Sequence, residues 1–145
     1  MPQNPPKGYP SVMPYLLYED SGVALEFLVT VFGFTEKVRM KDDEGHVNHA
    51  EVQIADGVVM LGTPPGDYKN PAKLGGKTQS IYVYVDDVDA HFARAEAAGA
   101  EILQPPADQE YGHRRYDVAD PEGHRWYFAS RIREAAPEEW GATVS

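Results

Sequence analysis

A fixed internal offset runs through this chain and constrains everything it can fold into. Asp20 opens a stretch with helical apolar spacing, DSGVALEFLVTVFGF, that closes at Gly33. Asp86 opens a second, DDVDAHFARAEAAGA, that closes at Gly99, so both ends recur after 66 residues. Gly57 and Gly123, each just ahead of an apolar segment, keep the same spacing. A constant period of this size marks a duplicated supersecondary unit. Two such units facing each other would enclose a hollow, which points to a small-molecule site.

The bounds agree with one compact domain. At 145 residues the chain is long enough for a real core. No apolar run approaches the ~20 residues of a membrane helix, and the start, MPQNPPKGYP, lacks a signal-peptide profile. There is no cysteine, which excludes disulfides and thiolate chemistry and agrees with a cytoplasmic location. The net charge of −10 opposes binding to nucleic acid or anionic lipid. It serves either solubility or the attraction of a cationic ligand.

Each unit reads as βαβββ. Residues 1–10 form an extended arm, and 11–19 the first strand, interrupted by Pro14. Asp20 or Ser21 caps a helix whose Ala24, Leu25, Phe27, Leu28, Val31 and Phe32 share one face. FTEKVRMKD is a second strand and HVNHAEVQIA a third. Asp56-Gly57 turns the chain into VVMLGT. The second unit repeats this with SIYVYV, a helix over 88–98, AEILQP, HRRYDVA and HRWYFAS. The expected organisation is an arm (1–10), one domain (11–130) of modules 11–63 and 79–130 joined by a connector at 64–78, and a tail (131–145).

Alternation decides which side chains face the hollow. A sheet backed by helices sends its apolar row toward them. Ala50, Val52 and Ile54 therefore face the helix, and His49, Glu51 and Gln53 the opposite side. A two-residue Asp56-Gly57 loop would pair Gln53 with Met60 and add Met60 to that side. The same reasoning places Ser80, Tyr82, Tyr84, Arg125 and Tyr127 there. The expected ligand-binding set is His49, Glu51, Gln53, Met60, Tyr82, Tyr84, Arg125 and Tyr127, suited to a planar or amphipathic ligand. Glu51 would supply negative charge. Alternatively, His49 and Glu51 merely satisfy each other or nearby arginines.

The order of elements, the DxxxALxF-like helix start, the DG hairpin and the DPEGHRWYF ending together resemble the vicinal oxygen chelate superfamily of glyoxalases, bleomycin-resistance proteins and extradiol dioxygenases. NHAEVQIADGVVMLGTPP and SIYVYVDDVDAHFARAEAAGAEI look like its PhnB-like branch. The resemblance covers about residues 12–130. It implies an α+β fold of two βαβββ modules in a curled mixed sheet, often a homodimer. It also implies, for the enzymes of the superfamily, one divalent metal held by His, Glu or Gln on the first, fourth, fifth and eighth strands.

Those four positions fall here at or beside Met13, Met60, Ser80 and Tyr127. Thioether, hydroxyl and phenol are poor ligands for Zn, Ni, Fe or Mn. No metal, no cofactor and no catalytic residue is therefore expected. His49 and Glu51 have the chemistry of a base and its orienting group, but the sequence shows no activated nucleophile beside them. Arg114 and Arg115 beside Tyr116 offer either an anion site or, the favoured reading, a surface pairing with Asp117 and Asp120, and His113 and His124 lie near the turns of the last hairpin. The sequence favours a metal-free cup that sequesters an aromatic or cationic molecule. The alternative is a glyoxalase-like metal-dependent lyase or dioxygenase with a non-standard site.

Overall fold

The computed structural model describes all 145 residues, Met1–Ser145. The chain divides into two compact units: residues 1–76 with 121–123, and residues 77–120 with 124–145. No helix is long and apolar enough to cross a membrane.

The first unit runs β1 (Tyr15–Leu17), α1 (Ser21–Thr30), β2 (Thr35–Lys41), β3 (Val47–Ile54), β4 (Gly57–Gly62) and a short α2 (Pro71–Leu74). Its sheet order is β1-β4-β3-β2, with β1 parallel to β4 and the rest antiparallel. The Asp20 carboxylate accepts the Val23 N–H at 3.0 Å and starts α1. Ala24, Leu25 and Leu28 of α1 are buried with Leu16, Ala50, Val52 and Leu61 of the sheet. Fully burying one aliphatic side chain of this size contributes about 1.5–3 kcal/mol, so this row fixes which way every strand faces.

The turn at 121–123 belongs to this first unit. The Glu122 carboxylate accepts the N–H groups of Glu19 (2.6 Å) and Asp20 (2.9 Å) and the Asn70 side-chain amide (3.1 Å). Gly123, at φ +92°, sits where a Cβ would come within 2.8 Å of the Ala72 nitrogen.

The second unit repeats the plan: β5 (Ser80–Tyr84), α3 (Val88–Ala97), β6 (Glu101–Asp108), β7 (His113–Ala119) and β8 (Arg125–Arg131), in sheet order β5-β8-β7-β6. Its core is aromatic. Tyr116, Trp126 and Phe128 are fully buried, and the His91 ring of α3 lies 4.1 Å from that of Phe128. Trp126 Nε1 donates to Asp120 at 3.2 Å. The βαβββ order and the α+β class agree with the sequence.

Several details go beyond or differ from it. The first strand is only Tyr15–Leu17, because Pro14 has no N–H for the ladder. The second helix is capped by Asp87, whose side chain accepts the Ala90 N–H, not by Asp86. The period is therefore 67 at the first strand, helix start and last strand, where Tyr15↔Met60 matches Tyr82↔Tyr127. It is 66 in between, since Glu51↔Met60 matches Asp117↔Tyr127. The first hairpin turns at Ala55-Asp56 rather than Asp56-Gly57, with Ala55 at φ +49° and Gln53 opposite Val58. The slip is two residues, so parity survives and Met60 stays on the face of Glu51. The connector carries α2, started by the Asn70 side chain on the Lys73 N–H. The tail carries a 3₁₀ turn at Pro137–Trp140.

Gly112 is required twice over. It sits at φ +88°, and a Cβ there would lie 2.6 Å from the Arg133 carbonyl oxygen. Gly112→Ala is expected to cost about 2 kcal/mol or more in urea unfolding. Ala55→Gly, which relieves a left-handed alanine but loosens the unfolded chain, should stay within about 1 kcal/mol of wild type.

Candidate functional site

Each sheet buries one face under its helix and presents the other. In the second unit the helix-free face carries a dense set of rings. Tyr82 lies 5.8 Å from Tyr84 and 5.9 Å from Tyr127, centroid to centroid. His113 stands 4.7 Å from Tyr111 and 5.2 Å from Tyr84. Its Nδ1 is 2.7 Å from the Tyr82 hydroxyl and its Nε2 3.4 Å from that of Tyr84. Burial, aided by the Arg131 charge, pushes the His113 imidazole below its ordinary value, so the neutral ring is favoured. Burial and the Tyr111 hydroxyl push the Tyr82 phenol up, keeping its proton in place. A neutral imidazole then accepts from Tyr82 at Nδ1 and donates from Nε2 to Tyr84.

Beside these rings opens a cavity of about 350 Å³ lined by Tyr84, Tyr111, His113, Arg131, Arg133, Ala135 and Trp140. Trp140 reaches it from the 3₁₀ turn and packs edge-on to Tyr111 at 6.0 Å. Arg115 lies 4.4 Å over the Tyr127 ring, bonds Asp117 through Nε at 3.1 Å and donates to the Tyr111 hydroxyl at 3.1 Å. A smaller hollow of about 200 Å³ at the other end of the sheet includes Gln79, Ser80, Arg125 and Tyr127. There the buried Arg125 Nε has no hydrogen-bond partner.

The first unit's helix-free face holds His49, Glu51, Gln53 and Met60, but as a closed polar network. His49 Nε2 bonds Glu51 at 2.9 Å, and the other Glu51 oxygen accepts the Tyr9 hydroxyl at 2.6 Å. Lys37 lies 4.7 Å over the Tyr9 ring, so residues 1–10 turn back onto this face through Tyr9. Burial raises the Glu51 carboxyl, yet the bonds from His49 and Tyr9 outweigh it and hold the group below the usual carboxylate range. Both oxygens are committed, so Glu51 offers no free charge to a cationic ligand. Gln53 spends its amide on the carbonyls of Ala55 and Gly57. The mutual His49–Glu51 contact that the sequence offers as an alternative is present.

The structure brings Tyr82, Tyr84 and Tyr127 together on one face. It adds Tyr111, His113, Arg115 and Trp140, which the sequence reading did not assign. Arg115 and Asp117 were legible, for they stand 66 residues after His49 and Glu51 and repeat the same order of a nitrogen-bearing side chain two residues before an acid. Arg115 does pair with Asp117 as expected, in a largely buried contact, whereas Arg114 bonds Asp89 and Asp108 at the surface rather than Asp117 or Asp120. His113 belongs to the ring cluster and not merely to a turn.

The chain matches the model of the Glyoxalase/Bleomycin resistance protein/Dioxygenase superfamily over residues 12–128. It belongs to that superfamily. The crystal structure of TioX from Micromonospora sp. ML1 is 37% identical, with a TM-score of 0.70 over 83% of this chain and 98% of that one. TnmS3 from Streptomyces sp. CB03234, an antibiotic binding protein, shares the fold at 22% identity and TM-score 0.62, over 82% of this chain and 93% of its own. The uncharacterized protein Rv0887c of Mycobacterium tuberculosis is 36% identical over 94% of this chain and 83% of its own length.

The divalent metal implied for the superfamily's enzymes finds poor donors. Met60 stands opposite Tyr15 in the first unit, and Tyr127 opposite Tyr82 in the second. With Met13 and Ser80 the four positions offer two thioethers, a hydroxyl and a phenol. No three His, Asp or Glu side chains gather as a metal would need. The residues present do not fit that ion.

A depressed His113 value has a definite sign. The unfolded chain binds a proton below about pH 6.5 that the folded chain resists, so stability is full above that value and falls as the pH drops through it. The urea midpoint should decline between pH 7 and pH 5, and His113→Gln should flatten that decline. Parallel curves for the two proteins would contradict the assignment.

Proposed function

We propose that this protein is a metal-free small-molecule binder of the bleomycin-resistance type, and that it takes a planar aromatic ligand on the helix-free face of the second unit. The observation that carries this is the 350 Å³ cavity walled by Tyr84, Tyr111, His113 and Trp140. Its volume lies within the range of small-ligand pockets. Edge-on and offset ring contacts contribute about 0.5–1.5 kcal/mol each beyond the area they bury.

The polar groups refine the ligand. Arg131 and Arg133 line the cavity, and no carboxylate does. Each arginine is paired on the surface, to Glu134 at 2.8 Å and Glu139 at 3.1 Å. Exposed pairs of this kind are worth about 0–1 kcal/mol, so a ligand can take them over. Of the two ligand classes the sequence suggested, the aromatic one is supported, with acceptor or anionic substituents rather than a cationic group. TnmS3 is an antibiotic binding protein on the same fold, which agrees with sequestration of a natural product. We further read the protein as a cytoplasmic homodimer of the PhnB-like branch. The enzymatic alternative lacks a donor set at Met13, Met60, Ser80 and Tyr127.

A thermal-shift panel of planar aromatic acids and amides, matched with planar aromatic cations, tests this. At 100-fold over Kd a true ligand adds about 2.7 kcal/mol of stability. The acids or amides should stabilise and the cations should not. Trp140→Ala and Tyr111→Ala should each raise Kd about tenfold, a loss of about 1.4 kcal/mol. Stabilisation by cations alone, or hits that are indifferent to both variants, would refute the reading.

A further inference from the structure

The first unit carries a linear chain of acid, imidazole and phenol that the binding function does not use. The Tyr15 hydroxyl lies 3.0 Å from His49 Nδ1, and His49 Nε2 lies 2.9 Å from the Glu51 carboxylate. The buried end is fixed, for Glu51 is 7% exposed and its second oxygen is held by Tyr9 at 2.6 Å. An ionised Glu51 places the imidazole proton on Nε2 and leaves the Nδ1 lone pair aimed at the Tyr15 O–H. The outer end is open: Tyr15 is 52% exposed. A phenol in contact with water needs no imidazole to satisfy it. A carboxylate that orients a base, and a base that touches an exposed hydroxyl, is the geometric signature of an activated nucleophile.

Two further observations set this arrangement apart from a chance contact. Gly62, opposite His49 in the β3–β4 register, leaves the room that the phenol occupies. A Cβ at Gly62 would lie 2.7 Å from Tyr15 Cε1 and 2.8 Å from its hydroxyl. The duplication also supplies an internal contrast. In the second unit the equivalent places hold Tyr82, Arg115, Asp117 and Ala129. A guanidinium accepts no proton, and Tyr82 turns to His113 instead. The proton-accepting version exists in one unit only.

We propose that Tyr15 is an acyl-accepting nucleophile, with His49 as its base and Glu51 and Tyr9 as positioning residues, acting on activated carboxylic esters of phenols. The Tyr15 oxygen bonds to the ester carbonyl carbon while its proton passes to His49 Nδ1. The carbon–oxygen bond to the aryl group breaks, and the departing aryloxide takes that proton. Water, deprotonated by His49, then cleaves acyl-Tyr15 to the carboxylic acid and restores the phenol.

The full-length protein is treated with p-nitrophenyl acetate, and acetylation is followed residue by residue by peptide mass spectrometry. Tyr84 is the internal control: it is more exposed, at 59%, and lies 3.4 Å from an imidazole, His113, that has no carboxylate bonded to it. Tyr15 should acetylate at least about tenfold faster than Tyr84, a difference of about 1.4 kcal/mol in barrier. His49→Gln and Gly62→Ala should bring Tyr15 to the Tyr84 rate. Glu51→Gln should slow it, and Glu51→Asp should restore part of the loss. Tyr15→Phe, at an exposed site, should keep the melting temperature and abolish p-nitrophenolate release above background. Equal rates at Tyr15 and Tyr84 in the wild type would overturn the proposal without any variant. So would acetyl found on His49 in place of Tyr15, or a folded His49→Gln protein with an unchanged Tyr15 rate.

Discussion

The buried row beneath each helix is what every other feature depends on. Leu16, Ala50, Val52 and Leu61 in one sheet, and Tyr116, Val118, Trp126 and Phe128 in the other, leave almost no surface to water. A one-residue slip in any of these strands would bring large apolar side chains into solvent and polar ones against the helix. The opposite face is therefore fixed by what it is not. Its tyrosines, imidazoles and ion pairs are displayed there because the core allows them no other place.

That logic explains what could be read from the letters alone. Alternation gives parity, and parity survived even where the first hairpin turned at Ala55-Asp56 instead of Asp56-Gly57. Tyr82, Tyr84 and Tyr127 were placed on their face by it. Arg115 and Asp117 were within reach of the same reasoning, since adding the period to His49 and Glu51 lands on them. Tyr9, Tyr15 and Trp140 were not. Tyr15 sits in a three-residue strand after Pro14, and Tyr9 and Trp140 reach their places through irregular chain, where no periodicity encodes direction. The spending of Glu51 on Tyr9 is likewise a contact over 42 residues that no local pattern announces.

The two copies have kept a frame and diverged in its filling. Both retain a phenol on the first strand and an acid two residues after a nitrogen-bearing side chain on the third. One of these side chains is an imidazole and the other a permanent guanidinium, and the residue opposite each is Gly62 or Ala129. The second copy has gathered rings and arginines around a hollow that suits an aromatic guest. The first has closed its polar groups on one another and left a single phenol at the open end. The same frame thus carries a ring-lined hollow in one copy and an acid–imidazole–phenol chain in the other.

The placement of Glu122 limits how far such a molecule can be taken apart. Its carboxylate receives the amides that lead into α1, although it lies about a hundred positions later in the chain. A fragment ending at Gly76 would contain every strand of the first sheet and still lack the acceptor for the Glu19 and Asp20 N–H groups. The duplication is visible as two modules, but an isolated first half would begin its helix with a missing part that only the rest of the polypeptide provides.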